Sequence, residues 1–187
     1  PINCPALASE IVDLLKLDPE QPVAVKGIGD VPLHDALLRH WDISKLTRNI
    51  LELIACRIPE AVFAPLLDPE RKPEYDRFLG EYQIADILHE TGARLGPADL
   101  EQVMRPIQPR FYSIASSPRA QVDEVQLTVS VLRYSNKGRR RSGVCSAFMA
   151  DRAGASSAGI FLQPAAHFRP PADPSRAAIL VGPGTGM

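Results

Sequence analysis

The string from Arg110 to Ser117, RFYSIASS, sets a cation, an aromatic ring and a hydroxyl within four residues, at Arg110, Tyr112 and Ser113. These are the groups that neutralise a phosphate, stack on a planar heterocycle and hydrogen-bond its edge. The segment follows Pro109 and reads as a β-strand, with Tyr112, Ile114 and Ser116 on one face and Phe111, Ser113 and Ala115 on the other, since side chains alternate along a strand. A row of this kind suits a nucleotide-like cofactor lying along the chain. The same string also reads as a half-buried strand whose tyrosine fills a core, and alone it does not choose between the two.

A second string, Gly143-Val144-Cys145-Ser146, runs straight into Ala147 to Arg152, a helical stretch. Glycine followed by a hydroxyl residue at a helix start presents backbone N–H groups to an anion, and the helix dipole adds favourable potential. The competing reading is Ser146 as an ordinary N-cap. Cys145 has no histidine near it in sequence, so it reads as a small packed or cofactor-facing residue rather than a nucleophile. A third string is the apolar run Ala178 to Val181, which delivers the chain into Gly182-Pro183-Gly184-Thr185-Gly186. A buried parallel strand followed by a glycine-rich turn is how dinucleotide-binding α/β domains begin. No Gly-Lys-Ser/Thr follows, so it is not a Walker A loop.

The elements that must position these strings fall into two kinds. Residues 1–105 read as a mainly helical subdomain. Ser9 is expected to cap a helix carrying Ile11, Val12, Leu14 and Leu15, which Asp18-Pro19 closes. Pro22 to Lys26 reads as a strand, with a turn at Gly27 to Asp30 and a helix from Pro32 through His40. Ser44 is the expected N-cap of a helix with Leu46, Ile50, Leu51, Leu53 and Ile54 along one stripe. Pro59, Pro65, Pro69 and Pro73 cut the next stretch into short helices, and Ile84 to His89 and Ala98 to Met104 add two more.

From Arg105-Pro106 onward, proline-bounded runs rich in β-branched residues take over: Arg110 to Ser117, Val125 to Tyr134 and Gly159 to Gln163. In the second run Val125, Leu127, Val129 and Val131 share one face, and Gln126, Thr128, Ser130 and Leu132 the other, the period-two pattern of an antiparallel sheet or barrel. Ser135 to Gly138 supplies a turn. The basic residues Lys137, Arg139, Arg140 and Arg141 after it read as a solvated loop, because no aromatics are interleaved as in a nucleic-acid surface.

Composition excludes several classes. The 187 residues, 45% of them hydrophobic, can bury a sizeable core, and 21 basic against 22 acidic residues leave a net charge of −1, so no global field draws the chain to nucleic acid or an anionic membrane. Cys4, Cys56 and Cys145 form no CxxC, and His34, His40, His89 and His167 form no HxH or HExxH, which argues against a disulfide framework or a metal site. No run of about 18 apolar residues and no leader segment is present, so a cytoplasmic setting is expected.

Taken together and in order, R-x-Y-S, G-x-x-S and ILVGPGTG resemble the ferredoxin-NADP reductase superfamily, and the helical segment upstream narrows the resemblance to its diflavin reductases, closest to those that serve sulfite reductase. LTVSVLRY and HFRPPADP, from His167 to Pro174, extend the likeness along most of the chain. The resemblance implies an α+β protein: a helical connecting subdomain over 1–105, an FAD-binding antiparallel Greek-key β-barrel, incomplete here, over 106–176, and the opening of an NADP-binding α/β domain over 177–187.

Residue by residue, it implies that Arg110 neutralises the FAD pyrophosphate, Tyr112 stacks on the isoalloxazine with Phe111 beside it, and Ser113 hydrogen-bonds near the reactive N5 edge, the catalytic assignment. Thr128, Val129, Ser130 and Tyr134 would line the ribityl or adenosine part, while Gly143, Val144, Cys145 and Ser146 grip the pyrophosphate. Ser44 and Gly80 would be outlying FAD contacts, and Gly184, Thr185 and Gly186 would face NADP. Hydride would pass from NADPH to FAD and electrons onward to FMN and a haem/iron-sulfur reductase subunit, with FMN and NADP domains in the same full-length chain, and no metal, nucleic acid or membrane involved.

In the family, barrel strands precede the helical insert and the NADP domain follows the glycine-rich turn, so the resemblance also implies a piece that holds FAD weakly or not at all and lacks hydride transfer by itself. The alternatives are the same flavin domain serving a nitrate reductase or P450-type acceptor, and a non-catalytic helical-plus-β binding module.

Overall fold

The computed structural model describes residues 1–155, 158–165, 169, 171–173, 175–179 and 181. The chain opens with α1 (Pro5–Leu15), which starts at Pro5 in the first turn and ends where Lys16 turns left-handed at φ 55°. Its N-cap is Cys4, so the expected cap, Ser9, lies inside the helix: a proline at the first turn fixes helical φ four residues earlier. Next come β1 (Pro22–Val25) and β2 (Gly29–Pro32), an antiparallel hairpin that pairs Val23 with Val31. The second strand was expected only as a turn, yet Gly27 and Gly29, at φ +81° and +111°, bend the chain tightly enough to pair its flanks.

A single helical turn, α2 (Leu33–Asp35), widens into a π-turn over Ala36–His40. Buried Asn3 ties the chain start to this turn, its Nδ2 donating to the carbonyls of Leu37 and Trp41, each at 2.7 Å. Helix α3 (Arg48–Arg57) is capped by Thr47, whose Oγ1 accepts the Ile50 N–H at 3.4 Å. Ser44, the expected cap, instead donates its hydroxyl to Asp42 at 2.7 Å. Short 3-10 turns at Ala64–Leu67 and Pro69–Arg71 lead into α4 (Lys72–Glu81), then α5 (Ile84–Thr91) and α6 (Pro97–Val103).

These elements share one core. Ile11, Leu33, Leu37, Ile43, Ile50, Leu51, Ile54, Ile87, Leu88 and Leu100 are its largest fully buried hydrophobic side chains. The apolar stripes of α1, α3 and α5 converge there, as helical spacing requires.

Past residue 105 the architecture differs from expectation. The described residues hold two two-stranded sheets and no closed barrel. Arg110 to Ser117 forms no strand. It meets Val125 to Tyr134 at a single bridge, Ile114 to Leu127, with the Ala115 N–H on the Gln126 carbonyl at 2.8 Å. An extended segment becomes a strand only where a neighbour takes its backbone groups in register, and one bridge does not build a ladder. Only the end of the second run pairs, as β3 (Arg133–Asn136) against β4 (Arg139–Ser142), through a turn in which Lys137 and Gly138 take φ of 50° and 71°. Arg139 to Arg141 of the basic run are therefore in a strand, not a solvated loop, and Arg141 is buried, while Lys137 stays in the exposed turn. Gly159 to Gln163, expected as a strand, forms none. Helix α7 (Val144–Asp151) follows β4 directly, with Gly143 as its N-cap and Ser146 inside it, so the N-cap reading of Ser146 does not hold.

Candidate functional site

A cavity of about 450 Å³ lies where α4, the start of α5, β3, β4 and the first turn of α7 meet the extended chain at Arg110 and Tyr112. The alternation of extended chain decides who enters it. Arg110 and Tyr112 line the cavity, as do Ser130, Leu132, Tyr134 and Asn136, every second residue of their run. Phe111 and Ser113 do not: both are exposed, and Phe111 meets Phe161 edge-on at 5.5 Å between ring centroids. Thr128 and Val129 also lie outside the lining. Gly143, Val144, Cys145 and Ser146 are all inside, and so are Ser44 and Gly80, from the loop before α3 and from α4. Ten of the expected site residues, spread over a hundred positions, therefore share one cavity. Gly184, Thr185 and Gly186 lie outside the described residues, as does the Leu180 of the apolar run before them.

The Gly143 corner is tightly built. The Gly143 N–H donates to the Leu132 carbonyl at 2.9 Å, and the Ser146 Oγ accepts the Leu132 N–H at 3.2 Å. A Cβ on Gly143 would lie 2.7 Å from that Oγ and 3.1 Å from the Leu132 Cβ, so only glycine fits the close approach. Its φ of −65° is ordinary; the constraint is space. The first turn of α7 opens on the cavity with N–H groups that have no carbonyl one turn back.

Tyr112 is half-buried, and its hydroxyl is pushed up to about 12 by burial first and by the adjoining Cys145 thiol second, with the Arg110 charge pulling the other way. It stays a neutral hydrogen-bonding phenol at any physiological pH. Arg110 is exposed, its guanidinium resting on the carbonyls of Gln108 at 2.8 Å and Pro109 at 3.3 Å, which leaves its charge unpaired by any carboxylate among the described residues. The donor set is thus the uncompensated Arg110, Lys45 also on the lining, a helix start and several hydroxyls, with the Tyr112 and Tyr134 rings beside them. That chemistry fits an anion carrying a ring, and the volume lies in the range of small-molecule sites.

Sequence reasoning missed one member outright. Arg141, read as solvated, lines the cavity and forks onto Asp86 of α5, its Nη2 2.5 Å from each carboxylate oxygen, while Nη1 donates to the Gln83 Oε1 at 2.6 Å. Arg139 joins the same carboxylate at 3.2 Å and also pairs with Glu10 of α1. No local signal marks these partners, because 55 residues separate Arg141 from Asp86. Asn136 adds a bond to the Glu81 carbonyl at 2.7 Å, and Lys137 sits over the Tyr82 ring. The hairpin is thereby fastened to the helical half.

A smaller cavity of about 200 Å³ lies behind the same corner, lined by Asn3, Glu10, Arg139 and Arg152 among others. Among the described residues, no group of three or more His, Cys, Asp or Glu side chains is placed to hold a metal, and no helix is long and apolar enough to cross a membrane.

Comparison with known proteins bears on what this cavity takes. A family model described as an FAD binding domain matches residues 1–148. The chain is 37% identical over 186 residues to the sulfite reductase [NADPH] flavoprotein alpha-components of Escherichia coli (strain K12) and Shigella dysenteriae serotype 1 (strain Sd197), in each case 99% of this chain and 31% of the relative. The chain thus spans about a third of the length of the curated relatives it matches.

Proposed function

We propose, from the premise that this chain belongs to the FAD-binding domain family, that its cavity seats FAD within an NADPH-dependent flavoprotein reductase of the sulfite reductase type. FAD is the family's cofactor, and the relatives are oxidoreductase components. The observation that carries the reading is the convergence of Arg110, Tyr112, Ser130, Tyr134 and the Gly143 corner on one cavity.

In this reading Arg110 and the α7 start take the pyrophosphate: two negative charges meet the Arg110 cation, with Lys45 also on the lining, and a row of N–H donors. Tyr112, held neutral, offers a ring face for stacking and a hydroxyl that stays a donor. Ser130 and Tyr134, one face of an extended run, follow the sugar chain, with Ser44 and Gly80 across from them. Thr128 and Val129 would touch the cofactor only beyond the cavity rim. Ser113 is the separate part of the proposal, since it points off the lining. A hydrogen bond from it to the N5 edge requires the ring to overhang Tyr112, and Ser113→Ala would then slow flavin reduction without weakening FAD binding.

The bound cofactor would take hydride from NADPH and release single electrons to FMN and then to a haem/iron-sulfur reductase subunit. The inferred organisation is a helical connecting subdomain over 1–105, a flavin-binding Greek-key barrel portion over 106–176 and the first strand and turn of an NADP domain over 177–187, working in the cytoplasm.

The test is FAD titration of the full-length protein, read by flavin absorbance and fluorescence quenching, with Arg110→Ala beside it. Stoichiometric binding that weakens about tenfold or more in the variant is expected, since a charge-assisted contact is lost. A full-length protein that binds no flavin, or an Arg110→Ala variant that binds as tightly, counts against it.

A further inference from the structure

Ser142, Gly143 and Val144 line both cavities, so the corner that meets the cofactor has open space on two sides. The close contact with Leu132 packs one side of this backbone, and polar contacts must hold the sides that face open space. The first set is the pair of bonds to the Leu132 backbone already described. The second lies just upstream, where Arg141, two residues before Gly143, is fixed by Asp86 and Gln83. The same Asp86 carboxylate accepts the Gln83 N–H at 2.8 Å, closing the N-terminus of α5. One carboxylate therefore caps a core helix and anchors the strand that enters the corner.

The charges also argue for geometry over field. Asp86 and Glu10 offset Arg139 and Arg141, so this network adds little net potential to the cavity and leaves Arg110 and Lys45, both on the lining, as the cations available to an anion. A buried ion pair is a weak source of net stability, whereas a guanidinium held at two points, Nη2 on Asp86 and Nη1 on Gln83, is fixed in direction as well as distance.

We propose that Asp86, acting through Arg141, is a positioning residue for the Gly143–Ser146 turn, so that the affinity of the phosphate site is set by the helical half of the molecule. This rests on the FAD reading. The experiment compares Asp86→Asn, Arg141→Gln and the double variant in the full-length protein, by FAD affinity and by amide hydrogen exchange without ligand. Each single variant is expected to lose about 10- to 100-fold in FAD affinity, the size of a lost hydrogen bond between charged groups, and the double variant to lose no more than the worse single. Exchange at the Leu132 and Gly143 amides should quicken about tenfold in Asp86→Asn while the Ile54 amide in the core keeps its protection.

Affinity lost in Arg141→Gln but kept in Asp86→Asn would make Arg141 a direct contact and overturn the proposal, as would unchanged exchange at Gly143. Asp86→Glu keeps the charge and displaces the fork by one methylene. It should keep core protection and still lose affinity several-fold, and wild-type affinity in it overturns the proposal if the two disruptive variants fail to fold. A wild-type protein that binds no flavin would instead refute the FAD reading, and the exchange measurement would still decide whether Asp86 positions the corner.

Discussion

The main hydrophobic cluster runs from Ala8 to Val103, while all but Ile28 and Val62 of the exposed large apolar side chains among the described residues lie past Arg110. The two halves have similar kinds of residue and opposite outcomes. In the first half each helix satisfies its own backbone and needs only one stripe covered by a neighbour, which α1, α3 and α5 do for one another. In the second half the extended runs need a partner for the backbone and another surface for their apolar face. They find one bridge at Ile114 and a short hairpin, so Phe111, Val125, Phe161 and Leu162 stay in contact with solvent. Stability thus resides in the half that carries few of the expected cofactor contacts, and the cavity is assembled where the exposed half is pinned to it.

Truncations on the two sides should break the comparison first and most. Leu37→Ala, at a fully buried position, is expected to cost about 2–5 kcal/mol in denaturant unfolding, whereas Phe161→Ala should stay within about 0.5 kcal/mol. Equal losses would mean that both halves share one core. Next comes Gly143→Ala: the added methyl forces Ser146 Oγ away from Leu132, and we expect about 1–3 kcal/mol of destabilisation together with loss of FAD affinity, while the hairpin variant Ser135→Ala changes neither.

A smaller effect concerns Tyr112. Its folded-state value, about 12, is raised from 10.0, so its contribution to stability is whole below pH 10 and lost as the pH rises toward 12. Burial also raises the Tyr75 phenol, so ultraviolet titration should show late phenols of which the latest disappears in Tyr112→Phe and titrates earlier in Cys145→Ala. The smallest effect belongs to the helical half. The Arg57 guanidinium holds Asp99 below the ordinary carboxylate range, so that pair stabilises the fold above pH 3.8 and stops doing so as the pH falls further. Asp99→Asn should flatten the acid limb of a thermal-melt profile by at most about 4 °C, as expected of an exposed pair.

Much of this was written locally. Prolines and glycines marked where helices start and where the chain turns, and the apolar stripes of α1 and α3 named most of their buried residues, with Leu14 and Leu53 at the half-buried edge. Alternation along 130–136 already put Ser130 and Leu132 on one face, the face that lines the cavity. Those features depend on φ, ψ and side-chain period, which neighbouring residues set. Which extended runs become strands was not legible, because pairing depends on a partner distant in sequence; RFYSIASS has strand composition and no ladder. Nor was the fate of Arg139 to Arg141. Three adjacent cations look alike in sequence, and only the approach of Asp86 from α5 and Glu10 from α1 turns two of them into buried or half-buried anchors while Arg140 stays in solvent. The sequence by itself determined the chemistry on offer at Arg110, Tyr112 and Gly143. The tertiary structure decided which of those groups face one space, because charge pairs and cavities form between residues that the chain alone leaves far apart.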